Sequence, residues 1–107
     1  MYVAMRKIVV KEGNADKVVE QFSKRELVRK QEGFVDVTVM KQKARGGAEE
    51  VVVLIRWESE AAWKKWEQSD AHIAGHKAKR GQPKPDYIIR SEGGRYEVQL
   101  VKEAIKS

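Results

Sequence analysis

Apolar and polar side chains alternate along several stretches of the chain, and segments with a helical repeat separate them. In residues 2–11, YVAMRKIVVK, one face carries Tyr2, Ala4, Arg6, Ile8 and Val10, and the other carries Val3, Met5, Lys7, Val9 and Lys11. A period of two with β-branched residues predicts a strand, and Arg6 interrupts its more apolar face. Gly13-Asn14 ends the strand, and Asn14 stands where a helix cap belongs. Val18, Val19, Phe22 and Leu27 form a helical stripe that predicts a helix from about residue 15 to about residue 30. Glu32-Gly33 closes it.

Residues 34–43, FVDVTVMKQK, alternate again and predict a second strand, and Arg45-Gly46-Gly47-Ala48 reads as a turn. Residues 49–57 form the third strand, whose run Val51 to Ile55 is apolar on both faces and predicts a central position. Ser59 caps a helix over 60–67, and Ser69-Asp70 restarts a second helical piece from Ala71 to about Arg80. The prolines make Gly81 to Pro85 a loop. Tyr87-Ile88-Ile89 is compatible with a short strand, Ser91 to Gly94 reads as a turn, and residues 95–101, RYEVQLV, read as the last strand before a polar tail.

The order β-α-β-β-α-β predicts an α+β, ferredoxin-like chain: a four-stranded antiparallel sheet with helices on one face. The other face would expose Val3, Met5, Val9 and alternate residues of 51–57. An apolar face of that kind predicts an interface, and a homodimer through the two sheets satisfies it.

Bulk composition narrows the classes. The 107 residues suit one domain spanning 1–107. No run of about 18 apolar residues predicts a membrane span, and the N-terminus lacks the regions of a signal peptide. With no cysteine, disulfides, thiolate metal sites and a cysteine nucleophile are excluded, and a cytoplasmic location fits. Lys and Arg number 22 against 16 Asp and Glu, a net charge of +6 that attracts anionic partners. Nucleic acid is not the expected partner: the densest basic run, His76 to Arg80, contains no aromatic and no recognisable binding motif.

The candidate chemistry gathers in residues 66–76, WEQSDAHIAGH. His72 and His76 are four apart, but H-I-A-G-H lacks the glutamate of a zinc hydrolase motif. Gly46-Gly47 and Gly93-Gly94 lack the lysine and following helix of a phosphate loop, and nothing places a histidine and an acid around any serine. Trp63 and Trp66 are neighbours on one helix. An unbroken helix would separate Trp66 from His76 by about 15 Å along its axis. The Ser69-Asp70 break allows both to face one cavity, and Gly75 leaves room beside His76 for a flat body.

Residues 56–77 resemble the IsdG-type heme-degrading monooxygenases of the antibiotic-biosynthesis-monooxygenase superfamily, through Trp57, Ser59, Trp63, Trp66, Ser69, Asp70 and His76. The likeness extends to Lys11-Glu12-Gly13, to Gln21-Phe22 with Arg25, and to Glu32-Gly33-Phe34. It implies a dimeric α/β barrel of ferredoxin-like domains with one heme per subunit, between sheet and helices. His76 falls at the family's iron ligand and Trp66 at the tryptophan that presses on the porphyrin. Phe22, Arg25 and Lys77 become cofactor-binding candidates, the two cations for the propionates. The implied reaction consumes O2 and electrons from an external donor such as a reductase, opens the ring and releases iron.

One position departs from that pattern. The family's first-strand asparagine is replaced by Arg6, which can donate hydrogen bonds but not accept them. On its apolar strand face Arg6 is expected to point inward, either toward an acid on a helix or into the distal pocket as a catalytic donor. The substitution keeps two alternatives open: a heme-binding or buffering protein with little turnover, and a cofactor-independent monooxygenase acting on a quinol or phenol.

Overall fold

The computed structural model describes residues 1–79 and 85–105, with side chains described outside 75–79. The strands are β1 (Tyr2–Lys11), β2 (Phe34–Arg45), β3 (Ala48–Trp57) and β4 (Ile88–Glu97), and the helices are α1 (Ala15–Ser23), α2 (Glu60–Glu67) and α3 (Asp70–Lys79). The sheet is antiparallel in the order β2-β3-β1-β4. This is the ferredoxin-like arrangement, with β3 central as its two apolar faces require. The predicted loop over 81–85 falls largely outside the described residues.

The core lies between the sheet and α1. Ile8, Val10, Val51 and Val53 meet Ala15 and Val18 there, and Phe22 and Ile55 pack against them. On the opposite face Val3, Met5, Val52 and Leu54 stay half-exposed, and Met40 and Tyr96 are exposed. Ion pairs flank this apolar strip. Arg56 pairs with Asp36, with Nε donating to Oδ1 at 2.7 Å. Lys7 Nζ lies 3.2 Å from Glu50 and 3.7 Å from Glu92.

Three boundaries differ from expectation. The first helix stops at Ser23, and a separate 3-10 turn, Leu27–Lys30, packs over β2. The Ser23 hydroxyl donates to the Glu20 carbonyl at 2.6 Å, a local bond that competes with continuation of the helix. The last strand is Ile88–Glu97 rather than 95–101, so Gly93-Gly94 lies inside a strand, and residues 98–105 run on without regular structure. Asn14 is the N-cap residue of α1, but its side chain makes no capping bond. Glu49 of β3 does that work, accepting from the backbone N–H of Gly13 at 2.6 Å and of Ala15 at 3.3 Å. A carboxylate at a helix N-terminus also meets the positive end of the helix dipole.

Candidate functional site

The helix-facing side of the sheet is covered unevenly. At one end Trp57 is buried and packs edge-on to Phe34. At the other, Val51 and Val53 are buried with α1. Between them a strip stays accessible: Ala4 and Ile55 are half-buried, Val37 is 37% exposed and Arg6 is exposed. Register places Ala4 opposite Ile55, Ile55 opposite Val37, and Arg6 opposite both Val53 and Gly93. Gly93 leaves the floor beside Arg6 without a side chain, and a Cβ there would come within 3.3 Å of the Met5 carbonyl oxygen. The strip is therefore an open, largely apolar floor with a guanidinium beside it.

The α1 side supplies Phe22 and Arg25. The Arg25 guanidinium stacks 4.2 Å from the centroid of the Phe22 ring. Its surface is exposed, yet enough protein crowds it that desolvation lowers its pKa, and the positive charge of Arg6 lowers it further. Arg25 stays protonated at neutral pH all the same. Two like charges thus face the same space. No salt bridge joins either arginine to a carboxylate among the described residues.

This corrects the expectation for Arg6. It lies on the helix-facing side as predicted, but it is exposed rather than buried, and its Nε donates to the Ser91 hydroxyl at 3.3 Å instead of meeting an acid. The exposed guanidinium keeps its water and needs no buried counter-charge.

The α2 side is anchored by Trp63, which packs on Tyr2 with ring centroids 5.5 Å apart and takes the Arg95 guanidinium at 4.5 Å. Trp66 follows one turn later on the same side of α2 and is half-buried. Ser59 caps α2 by accepting from the Ala62 N–H at 3.2 Å. Ser69 performs the predicted restart: its hydroxyl donates to the Trp66 carbonyl at 2.7 Å and accepts from the His72 N–H at 3.2 Å. His72 then packs edge-on to Trp66, with centroids 5.1 Å apart and planes at 64°. Sequence reasoning had left His72 without a role. Position 76 lies one turn further along α3, on the same side as position 72. The side chains of His76 and Lys77 lie outside the described residues.

The described contacts therefore pair Arg25 with Phe22, within electrostatic reach of Arg6, and separately pair Trp66 with His72. Ser91 and Gly93 were missed because residues 91–94 read as a turn, and Arg95 because its stacking on Trp63 depends on tertiary contact. A second concavity of about 290 Å³, lined by residues including Met1, Tyr2, Glu58, Glu60 and Glu97, contains none of the candidates. No group of three metal-ligating side chains is present among the described residues. A resident metal site built from protein ligands alone thus has no support there. No helix among them is long and apolar enough to cross a membrane.

Comparison with known proteins carries this geometry further. The chain is 60% identical over 103 residues to the Bacillus subtilis heme-degrading monooxygenase HmoA, covering 96% of this chain and 95% of that protein. It superposes on a crystal structure of an antibiotic biosynthesis monooxygenase from Bacillus cereus with a TM-score of 0.84 and 43% identity, over 99% of this chain and 98% of the other. A heme-degrader from Mycobacterium tuberculosis with two hemes in its active site gives a TM-score of 0.68 at 24% identity, over 96% and 100% of the chains, which establishes likeness of fold. The family profile described as antibiotic biosynthesis monooxygenase matches residues 1–78, and the chain belongs to that family.

Proposed function

We propose that this chain is a heme-degrading monooxygenase that opens the porphyrin ring with O2 and reductant and releases the iron. The observation that carries the reading is its end-to-end identity with the Bacillus subtilis heme-degrading monooxygenase. The site fits the substrate physically. An open, largely apolar floor suits a planar macrocycle, and Arg25, which has no carboxylate partner among the described residues, suits an anionic propionate.

The residue roles are those that the family resemblance implies, and the chemistry of each side chain is compatible with its role. A neutral imidazole is a good iron ligand, and His76 is assigned that role. Trp66 would supply a rigid aromatic face against the bound porphyrin. Phe22 forms part of the opposite wall. Arg25 and Lys77 hold the propionates. Arg6, in the place of the family's first-strand asparagine, would donate a hydrogen bond toward the reacting oxygen, and its fixed charge would favour negative charge developing there. Bound heme supplies the redox chemistry at iron, and the electrons come from an external donor. A cytoplasmic location and a partner reductase belong to the same proposal, as does a single domain over 1–107.

The dimer is part of it as well. The apolar strip of Val3, Met5, Val52, Leu54, Met40 and Tyr96 lies between two sets of ion pairs. A second copy burying this strip accounts for both features. Leu54→Asp should convert the protein to monomer in sedimentation velocity; an unchanged sedimentation coefficient would remove this face from the interface.

Hemin titration tests the heme assignment. A Soret band should appear at one equivalent per chain and shift or weaken in His76→Ala. No band, or a band unchanged by that substitution, would sink the ligand assignment. Arg6 favours one second reading, a heme-holding protein with little turnover, because a donor-only side chain replaces one that also accepts. A Soret band stable under ascorbate in air would select it. Arg6→Asn should alter the rate or the products of bleaching; if neither moves, Arg6 only braces the sheet edge.

A further inference from the structure

We infer that His72, held by Glu67, is a positioning residue for Trp66, fixing the indole across the break between α2 and α3. The inference rests on the heme-degrading reading for its functional consequence, though not for its geometry.

The break creates the need. Trp66 lies in the last turn of α2, where carbonyls lack helical partners and side chains gain freedom. Two ties cross the gap. In the backbone, the Ser69 hydroxyl donates to the Trp66 carbonyl and accepts from the His72 amide. In the side chains, His72 Nε2 lies 3.1 Å from Glu67 Oε2, and the imidazole and Trp66 rings meet edge-to-face with their planes at 64°. Glu67 adjoins Trp66 in sequence, so the three side chains close a loop around the break. The His72 side chain is only 17% exposed, which separates it from a solvated surface histidine.

A residue that distorts a flat substrate must itself resist being pushed aside. An edge-to-face ring pair favours one arrangement over its alternatives by about 2- to 12-fold. The Glu67 carboxylate holds the imidazole that makes the pair. His72 acts through Trp66 and needs no contact with the substrate.

The test reads the indole directly, in the apo-protein. The Trp66 Nε1–H resonance, assigned by its loss in Trp66→Phe, reports side-chain order on the picosecond to nanosecond scale. Its order parameter should fall in His72→Ala, fall partly in Glu67→Ala, and recover in His72→Phe to the Glu67→Ala level, since that variant restores the ring but not the Glu67 contact. With hemin, His72→Ala should bind within about 3-fold of wild type but bleach about 2- to 12-fold more slowly, and His72→Phe should recover the rate to that of Glu67→Ala. Unchanged indole order in His72→Ala overturns the inference, and so does a lost heme affinity with normal order. Should His72→Ala fail to fold, Glu67→Ala at an exposed position carries the same test. If wild-type protein does not bleach heme while the indole still loosens, the function fails and the positioning stands.

Discussion

Gly33 tests how the sheet positions α2, and with it Trp66. It sits between the 3-10 turn and β2 at φ +82°, and a Cβ there would overlap the Cβ of Ala62 on α2. Gly33→Ala therefore combines two costs. A positive φ costs an L-residue about 1–2 kcal/mol, and forcing an extra methyl into a packed contact costs about 1–3 kcal/mol. The sum, about 2–5 kcal/mol, lowers the melting temperature of a chain this size by about 10–20 °C. Gly47 separates the two costs: its φ is +81°, but nothing lies within 4 Å of the added Cβ. Gly47→Ala should lose only the backbone part, about 1–2 kcal/mol.

Ala62→Gly completes the cycle. Alone it costs about 1 kcal/mol in helix propensity. Combined with Gly33→Ala it removes the obstructing methyl, leaving Ala62 Cα 3.8 Å from the new Cβ, an ordinary contact. The double variant should be more stable than the sum of the singles by about 1–3 kcal/mol in urea or thermal unfolding. Additivity within about 0.5 kcal/mol would refute the close approach of the Gly33 loop to α2.

Two further predictions concern caps and charge. Ser69→Ala removes the hydroxyl that joins Trp66 to His72 and should cost about 0.5–2 kcal/mol in unfolding experiments, whereas Ser69→Asp, which still caps, should recover most of it. The Arg56 hydrogen bond holds the Asp36 pKa below the usual carboxylate range, with the Arg56 charge adding to it and partial desolvation opposing it. A depressed native pKa gives stability that is present above the unfolded pKa, about 3.9, and is lost as pH falls through the native value. Asp36→Asn should therefore lower the melting temperature at pH 7 and converge on wild type in strong acid. The effect is modest because both side chains are about two-fifths exposed (41% for Asp36). A gap that persists unchanged in acid would show that the pair does not carry it.

The parts of the fold legible in the sequence were those where local pattern and tertiary role agree. β1 and β3 carry the alternation or the doubly apolar run that their places in the sheet require, and Ser59 and Ser69 cap the helices they precede. β4 was illegible because Gly93-Gly94 weakens a strand locally and only tertiary contacts restore it. Both glycines pair with β1, and the Tyr96 ring folds over Gly94 so closely that a Cβ there would lie 2.7 Å from the phenol oxygen. Glu49 as the cap of α1 could not be read either, since it lies 34 residues along the chain from Ala15. In the site, Trp66 was singled out by spacing and resemblance. His72 stood in the sequence only as half of a histidine pair, because its partners are set by the bend at Ser69, which a linear helix does not reveal.

The account's central claim is oxygen-dependent cleavage of heme at this site. Its most direct measurement is mass spectrometry of the tetrapyrrole formed from hemin under 18O2 with ascorbate and catalase, alongside chelatable iron. A ring-opened product carrying label from O2 is expected, with iron released in step, and both should be lost in Trp66→Ala despite retained hemin binding. An intact, unlabelled porphyrin with no free iron, or bleaching that catalase abolishes, would contradict it.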